Sequence, residues 1–394
     1  MEELIPNSLK IGRKYIFLVL LLTFLVNFDS TVVIPIISNY AVDLGASVVL
    51  AAFIVGVYSM VHIPSNIISG RLVDKIGRKS LIAIGIALDG FSILLYSLAQ
   101  DPYFLLVARV VHGLGGGFGG PGTMAYLSDA TPKEKSGRGM ALYGISFAIS
   151  LLIGFMVGGM GAQVLGYKNL FFIIVIVLFF MALLSFALPT IYQPSKERLN
   201  LKKELLIFKK AIISKNMFSP YLGILALNFN LGIITATYSV LLKIGGYTDG
   251  QIGMTFSVLV LLSLIIHYPS GVLGDKKGRK KIMNIGLLFA SVGFLILIPS
   301  TQFPIPILGM VIYGIGHGMV FPTSAGIIKV NSDEHNQGVT TGTFYALVVA
   351  GIALGAPISG LIYESFGQQL MFFVGMMVPL ISVIILFLTS KEKT

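Results

Sequence analysis

The sequence predicts an all-α membrane protein: twelve transmembrane helices in two six-helix bundles, related by a pseudo-twofold axis along the membrane normal. Three observations carry that prediction. The 394 residues are 55% hydrophobic and only 11% charged, with a mean hydropathy of +0.88, far from a soluble globular domain. Apolar runs of the roughly 20 residues that a helix needs to cross a bilayer core recur almost from end to end. The second half of the chain also repeats the first at a fixed displacement. Helices are the spanning element because each satisfies its own backbone hydrogen bonds in lipid.

In chain order the spans read 14–41, 48–70, 80–99, 103–127, 138–164 and 169–189, then 216–243, 250–273, 281–299, 304–328, 338–363 and 369–389. We number them 1 to 12. The first run is too long for a removable leader and has no small-residue cleavage site. Segment 1–13 and tail 390–394 flank the bundles 14–189 and 216–389. Between the bundles, 190–215 contains "KERLNLKKELLIFKKAIISKN", basic with Leu, Ile and Phe at helical spacing. It reads equally as an amphipathic helix on the membrane surface and as a solvated linker.

Charge placement sets the expected orientation. Of the 28 Lys and Arg residues, all but Arg109, Lys168 and Lys243 fall in the N-terminal segment, the connections after even-numbered spans, the central linker and the tail. The positive-inside rule then puts both termini in the cytoplasm of a cell whose inner or plasma membrane the chain spans. The net charge of +11 therefore points to an anionic leaflet, with no nucleic acid expected as partner. The chain has no cysteine, which excludes disulfides and thiolate metal sites.

Repetition is the strongest signal. "SGRLVDKIGRK" at 69–79 returns as "SGVLGDKKGRK" at 270–280, a displacement of 201. The same displacement carries Gly113, Gly115, Gly117 and Pro121 onto Gly314, Gly316, Gly318 and Pro322, and Gly154 onto Gly355. One register holds from span 1 to span 12, and six spans per half make the repeats parallel.

The pattern G-x-L-x-D-x-x-G-R-K, met at Gly70, Leu72, Asp74, Gly77, Arg78 and Lys79 and again at Gly271, Leu273, Asp275, Gly278, Arg279 and Lys280, resembles the loop signature of the major facilitator superfamily. The resemblance covers the whole chain and is closest to proton-coupled drug and metabolite antiporters. It implies a cytoplasmic gate of Gly70, Asp74, Gly77 and Arg78, with Asp129 as the acid at the end of span 4, and of Asp275 and Arg279 in the second copy. Simple helix capping and topology marking is the alternative for these charges. Val330 replaces Asp129 in the second half, so that copy should latch more weakly.

Asp29, in "LVNFDSTVVIP", lies about 21 Å into span 1 at 1.5 Å per residue, near the midplane. An isolated Asp there costs about 2.5–3.5 kcal/mol, so a cavity and a partner are expected. Arg109 is the arginine well inside a span, and His112 shares its helical face three residues on. "FDSTVVIPII" and "RVVHGLGGGFGG" resemble the first- and fourth-span signatures of the antiporters, which implies proton coupling through Asp29, Arg109 and His112. A desolvated carboxyl holds its proton and a nearby guanidinium releases it, so a distance that changes with conformation would couple protonation to access. A static pair locking two helices is the alternative. In the second half Asn230 stands for Asp29 and Met310 for Arg109. The fifth-span antiporter pattern is incomplete, with Ser150 and Phe155 where Gly and Pro belong.

The resemblance makes spans 1, 4, 7 and 10 the cavity walls, and so names Asn27, Asn228, Asn230, Tyr238 and His317 as substrate-cavity residues. Tyr58, Tyr143, Tyr313 and Tyr345 are further candidates for aromatic walls. His62 and His267 read as proton relays or as satisfied buried histidines. Asp89 in span 3 has no account from the sequence.

The expected function is proton-coupled secondary transport by alternating access, exporting small amphipathic or cationic compounds. Proton symport of a sugar or organic acid, and a non-transporting receptor or sensor, are the alternatives. No cofactor is expected beyond the proton as coupling ion, no enzymatic activity and no metal. The expected partners are a small-molecule substrate, protons and the lipid bilayer, and the protein is expected to be a monomer.

Overall fold

The computed structural model describes residues 13–131, 136–190, 215–332 and 337–390. The expected amphipathic linker helix, segment 1–12 and tail residues 391–394 lie outside the described residues. Among the described residues every regular element is a helix.

Ten helical stretches are long and apolar enough to cross a membrane. Two details bring these to the twelve expected spans. The run Gln337–Ser390 is broken at Gly367, whose φ of 83° ends one helix and begins the next, which separates spans 11 and 12. The helix Pro102–Ala130 is 29 residues long, and its glycines with Arg109, His112 and Asp129 dilute its apolar character. It is span 4.

The other spans are Arg13–Val33 continued by Ile37–Asp43 (span 1), Val48–Ile76 (span 2), Arg78–Leu98 (span 3), Ser136–Leu165 (span 5) and Tyr167–Ser185 (span 6). In the second half they are Lys215–Ile233 continued through Ile234–Tyr238 and Ser239–Ile244 (span 7), Asp249–Lys277 (span 8), Arg279–Leu297 (span 9) and Ile305–Asn331 (span 10). Local chemistry sets several ends. Asp101 caps span 4 by accepting the backbone N–H groups of Tyr103 and Phe104, both at 2.9 Å, and Pro102 occupies the first helical position, where no N–H is needed. Thr248 and Gln251 form a reciprocal capping box at the start of span 8.

The repeat reaches the backbone. Gly45, Gly77 and Gly166 have positive φ, and so do Gly246, Gly278 and Gly367, each 201 residues further on. Gly77 (φ 88°) and Gly278 (φ 97°) make the one-residue turns from span 2 to 3 and from 8 to 9, a conformation that a side chain disfavours. Span 1 is interrupted over residues 34–36, at Pro35, which has no N–H to continue the ladder. In the matching register span 7 passes through a π-helical turn, Ile234–Tyr238.

The chain forms two compact units. The first includes the described residues up to Ile34 and from Val61 to 190; the second includes Pro35–Met60 and the described residues from 215 onward. The central chain of each unit is held by glycine contacts. In the first, span 5 lies against span 1: a β-carbon on Gly154 would run into Thr31, and one on Gly158 into the Val32 carbonyl. Thr31 donates its hydroxyl to the Ser150 carbonyl at 2.9 Å in the same crossing. In the second, a β-carbon on Gly355 would strike the Phe229 carbonyl and one on Gly351 the Asn228 side chain, at 2.7 Å.

Span 6 shows how the outer surface is built. Leu170, Phe171, Ile174, Leu178 and Ala182 point inward, while Phe172, Ile176, Phe180 and Leu183 are exposed. A stripe of large apolar side chains at helical spacing is the surface expected against acyl chains.

In the second unit the short helix Ile37–Asp43 is tied to spans 7 and 8. Lys243 Nζ reaches Asp43 Oδ2 at 2.7 Å and Asp249 Oδ2 at 3.7 Å. The Ser38 hydroxyl donates to the Thr235 carbonyl at 3.4 Å, and the Ser239 hydroxyl to that of Pro35 at 3.0 Å. Glu364 caps the start of span 2 at the Val49 N–H, 2.9 Å away.

Candidate functional site

Span 4 positions the site because its glycines admit three neighbours. A β-carbon on Gly115 would overlap the Asp89 side chain of span 3, one on Gly117 would meet Ser65 of span 2, and one on Gly119 would come within 2.8 Å of Val26 of span 1. Side chains that start from such close backbones reach one another without extending into lipid. Arg109, His112 and Gly115 follow one another at three-residue steps, one face of the helix. Asp89 and Tyr96 are seven apart on span 3, and so also share a face.

These faces enclose a polar cluster. Asp29, Asp89 and His112 have no exposed surface and Arg109 only 2%. His112 is the centre. Its Nε2 lies 3.2 Å from Asp29 Oδ2 and 3.2 Å from Ser30 Oγ. Its Nδ1 lies 2.8 Å from Tyr96 Oη and 3.3 Å from Arg109 Nη1. Arg109 Nη1 is also 3.4 Å from Tyr96 Oη. A neutral imidazole with its hydrogen on Nε2 fits all of these: it donates to the carboxylate and accepts from tyrosine and guanidinium. Asp29 further accepts the Ser30 N–H at 2.6 Å. Asp29 and Arg109, expected as a pair, are thus joined through His112.

Asp89 is the member that the sequence left without an account. One oxygen of Asp29, one of Asp89 and one nitrogen of His112 lie within 4.8 Å of one another, so Asp89 is the second carboxyl of this cluster. Both its carboxyl oxygens are buried without a hydrogen-bond partner among the described residues. Tyr96, which holds His112 and packs on Phe171 with centroids 5.5 Å apart, also went unnoticed. The spacing of Asp89 and Tyr96 on one face of span 3 was the available signal.

The second half makes the same crossing without charge. Gly316 stands for Gly115 and Ala290 for Asp89, and a β-carbon on Gly316 would lie 2.7 Å from the Ala290 backbone nitrogen, against 2.8 Å from Gly115 to that of Asp89. Tyr313 stands for His112, and donates its hydroxyl to the Leu227 carbonyl at 2.6 Å. Met310, Asn230 and Leu297 stand for Arg109, Asp29 and Tyr96. The helix contact is common to both halves, and the ionisable groups belong to one.

The named cavity residues are dispersed. Asn228, Asn230 and Tyr238 are at most 2% exposed, inside the second unit. The Asn228 amide donates to the Ile224 carbonyl of its own helix and the Asn230 amide to the Gly375 carbonyl of span 12, both at 2.9 Å. Tyr238 packs edge-on against Phe372, with centroids 5.4 Å apart. Asn27, half-buried, donates to the Thr23 carbonyl at 2.7 Å. His317 meets the Ser263 hydroxyl at 2.8 Å and stands beside His267. Of the other histidines, His62 pairs with Asn66 on its own helix at 3.0 Å.

At the loop signature, Arg78 Nε donates to Asp129 Oδ2 at 2.7 Å and its Nη1 to the Val73 carbonyl at 3.2 Å, so span 3 is tied to the end of span 4. Gly70 and Asp74 lie in the span 2 helix, and the Asp74 side chain is outside the described residues. In the second copy Arg279 turns back on Asp275 at 2.6 Å and reaches span 10 at the Gly326 carbonyl, 3.3 Å away. Val330 offers it no acid.

Comparison with known proteins agrees with this architecture. Over 358 residues the chain is 24% identical to the MFS-type transporter MJ1560 of Methanocaldococcus jannaschii, covering 90% of this chain and 92% of that one. Over 185 residues it is 29% identical to the quinolone resistance protein NorA of Staphylococcus aureus, 46% of this chain and 48% of that one. Its fold superimposes on the crystal structure of a bacterial homologue of the human lysosomal transporter Spinster with a TM-score of 0.82, at 14% identity over 96% of this chain and 97% of that one. The family model of the Major Facilitator Superfamily matches residues 19–245 and again 211–394, one match on each half of the repeat, and the chain belongs to that superfamily.

Proposed function

We propose that the protein is a proton-coupled secondary transporter that works by alternating access and exports small amphipathic or cationic compounds in exchange for protons, with Asp29, His112 and Arg109 at the coupling site. The observation that carries this reading is a buried ionisable cluster in one half at a helix crossing that the other half builds without charge. Ionisable groups kept at membrane depth where packing does not need them are the mark of an ion pathway. Export of amphipathic cations rests on the partial likeness to a quinolone resistance protein. The positive-inside rule, applied to the Lys and Arg of the sequence, supports a cytoplasmic side for the connection that carries Arg78 and for the one that carries Arg279.

The test is reconstitution into liposomes with an imposed pH gradient and a panel of fluorescent cations, sugars and organic acids. A cation should accumulate against its gradient in the acidic lumen, and a protonophore should abolish this. Asp29→Asn should carry substrate only downhill. Accumulation by Asp29→Asn with an unchanged pH dependence would defeat the reading, and gradient-driven uptake of a sugar or acid together with protons would reverse the direction of coupling.

A further inference from the structure

The two carboxyls of the cluster are not alike. Asp29 accepts an N–H from Ser30 and faces His112 Nε2, and the guanidinium of Arg109 stands behind that imidazole. It has the donors that a carboxylate needs. Among the described residues Asp89 has none, although an oxygen of each carboxyl lies within 4.8 Å. With a neutral His112 the cluster holds two carboxyls against one guanidinium, so two ionised carboxylates would leave one uncompensated negative charge in a fully buried site. One proton makes the cluster neutral.

We propose that Asp89 is a second proton-coupling residue, and that Asp29 and Asp89 hold one exchangeable proton between them, which resides on Asp89 when Asp29 is bound to His112. The inference rests on proton coupling as proposed above and changes where the proton sits. On release the O–H bond of Asp89 breaks, its electron pair stays on the carboxylate, and the proton passes to water on the side then open. The cluster moves from neutral to one negative charge. The new carboxylate repels Asp29 and competes for the Nε2 hydrogen of His112, the bond that ties span 1 to span 4.

The groups around Asp89 support a proton rather than a metal cation. Span 1 brings Asp29, span 4 brings Arg109 and His112, span 3 itself brings Tyr96, and span 2 brings His62 beside the Gly116 backbone and within electrostatic reach of His112. Span 6 brings Leu178 and Phe179, apolar, against Gly90. Asp29, Asp89 and His112 offer a bare cation three ligand atoms with a guanidinium nearby, whereas sodium and calcium take a fuller shell of oxygens. Ala290 at the matching position shows that the crossing itself does not require a carboxyl.

Purified whole protein, parent and Asp89→Asn, tests this in two ways. In liposomes a gradient of one pH unit should give the parent up to about tenfold accumulation for one proton exchanged per substrate. Asp89→Asn should accumulate nothing, while an unfolding midpoint and helical circular dichroism close to the parent's show that the variant is folded. Accumulation by Asp89→Asn with the parent's pH dependence overturns the proposal. By difference infrared spectroscopy the parent should show a carboxylic acid carbonyl band that vanishes as pH rises, and Asp89→Asn should lack it, because Asp29 then balances Arg109. A band that persists in the variant, one that does not titrate in the parent, or one that sodium abolishes at fixed pH each overturns it. If the parent shows no pH-driven transport but the titrating band is lost in Asp89→Asn, the proton assignment stands and the coupling reading falls.

Discussion

At the scale of single residues the cluster works because each polar atom has a fixed role. Tyr96 is the least conspicuous member and one of the more informative. Its hydroxyl donates to His112 Nδ1 at 2.8 Å, which keeps the imidazole hydrogen on Nε2 for Asp29. Tyr96→Phe removes that donor without changing the ring packed on Phe171. We expect a loss of stability of about 1–3 kcal/mol for the acceptor left without its best partner, read as a lower unfolding midpoint in detergent. A shifted pH profile of transport should accompany it. An unchanged midpoint and profile would show that Arg109 alone fixes the ring.

The residue scale is also where the sequence was least complete. Asp29, Arg109 and His112 were legible because each breaks an apolar run, and two of them are three residues apart on one helix. Asp89 breaks a run equally, but its partners come from spans 1 and 4, and no spacing along span 3 points to them. Tyr96 is harder still: a tyrosine in a span carries no signal until its neighbour is known. Span number alone points to Asn228, Asn230 and Tyr238, and their helical phase buries all three inside the second unit.

At the scale of elements, glycine decides which helices touch. On span 5, a β-carbon at Gly154 would collide with Thr31, while one at Gly144 meets nothing within 4 Å. On span 11, Gly355 and Gly342 make the same contrast. Alanine at Gly144 or Gly342 should raise the unfolding midpoint slightly, by up to about 1 kcal/mol of helix propensity. Alanine at Gly154 or Gly355 should lower it by about 1–3 kcal/mol, the usual cost of forcing atoms into a filled contact. If all four substitutions move the midpoint in the same direction, propensity outweighs the helix contact. The glycine register of 201 was visible in the sequence, but which glycine faces a neighbour and which faces open space was not.

At the scale of the molecule, the number of spans and their grouping by sixes followed from hydropathy and the repeat. The units that the structure forms divide the chain differently, since Pro35–Met60 belongs with the second half. Contacts made across about 200 residues, such as Lys243 with Asp43, leave no trace in local composition. That ion pair is partly exposed, so it contributes up to about 1 kcal/mol. Because the chain has no cysteine, Ser38→Cys would place a single thiol, buried in the native state, on the short helix that this pair ties down. Adding Lys243→Gln should speed alkylation of that thiol by about fivefold, the same energy expressed as a rate. Equal rates with and without Lys243 would mean that hydrogen bonds such as those from Ser239 to Pro35 and from Asn39 to Asp249 hold the short helix without the ion pair.

The two halves bend at the same register by different means. In span 1 the interruption falls at Pro35 and is covalent: the missing N–H cannot be restored by any ligand or voltage. In span 7 the turn Ile234–Tyr238 contains no proline, and a π turn differs from an α turn only by one residue of slack. That slack can be taken up by shifting the hydrogen bonds one position along, which rotates everything beyond it by about 100° around the helix. One arm of this molecule therefore carries a crease fixed by proline, and the other a crease that rearranged hydrogen bonds alone could relax. Tyr238, at the last residue of that turn, would swing with it.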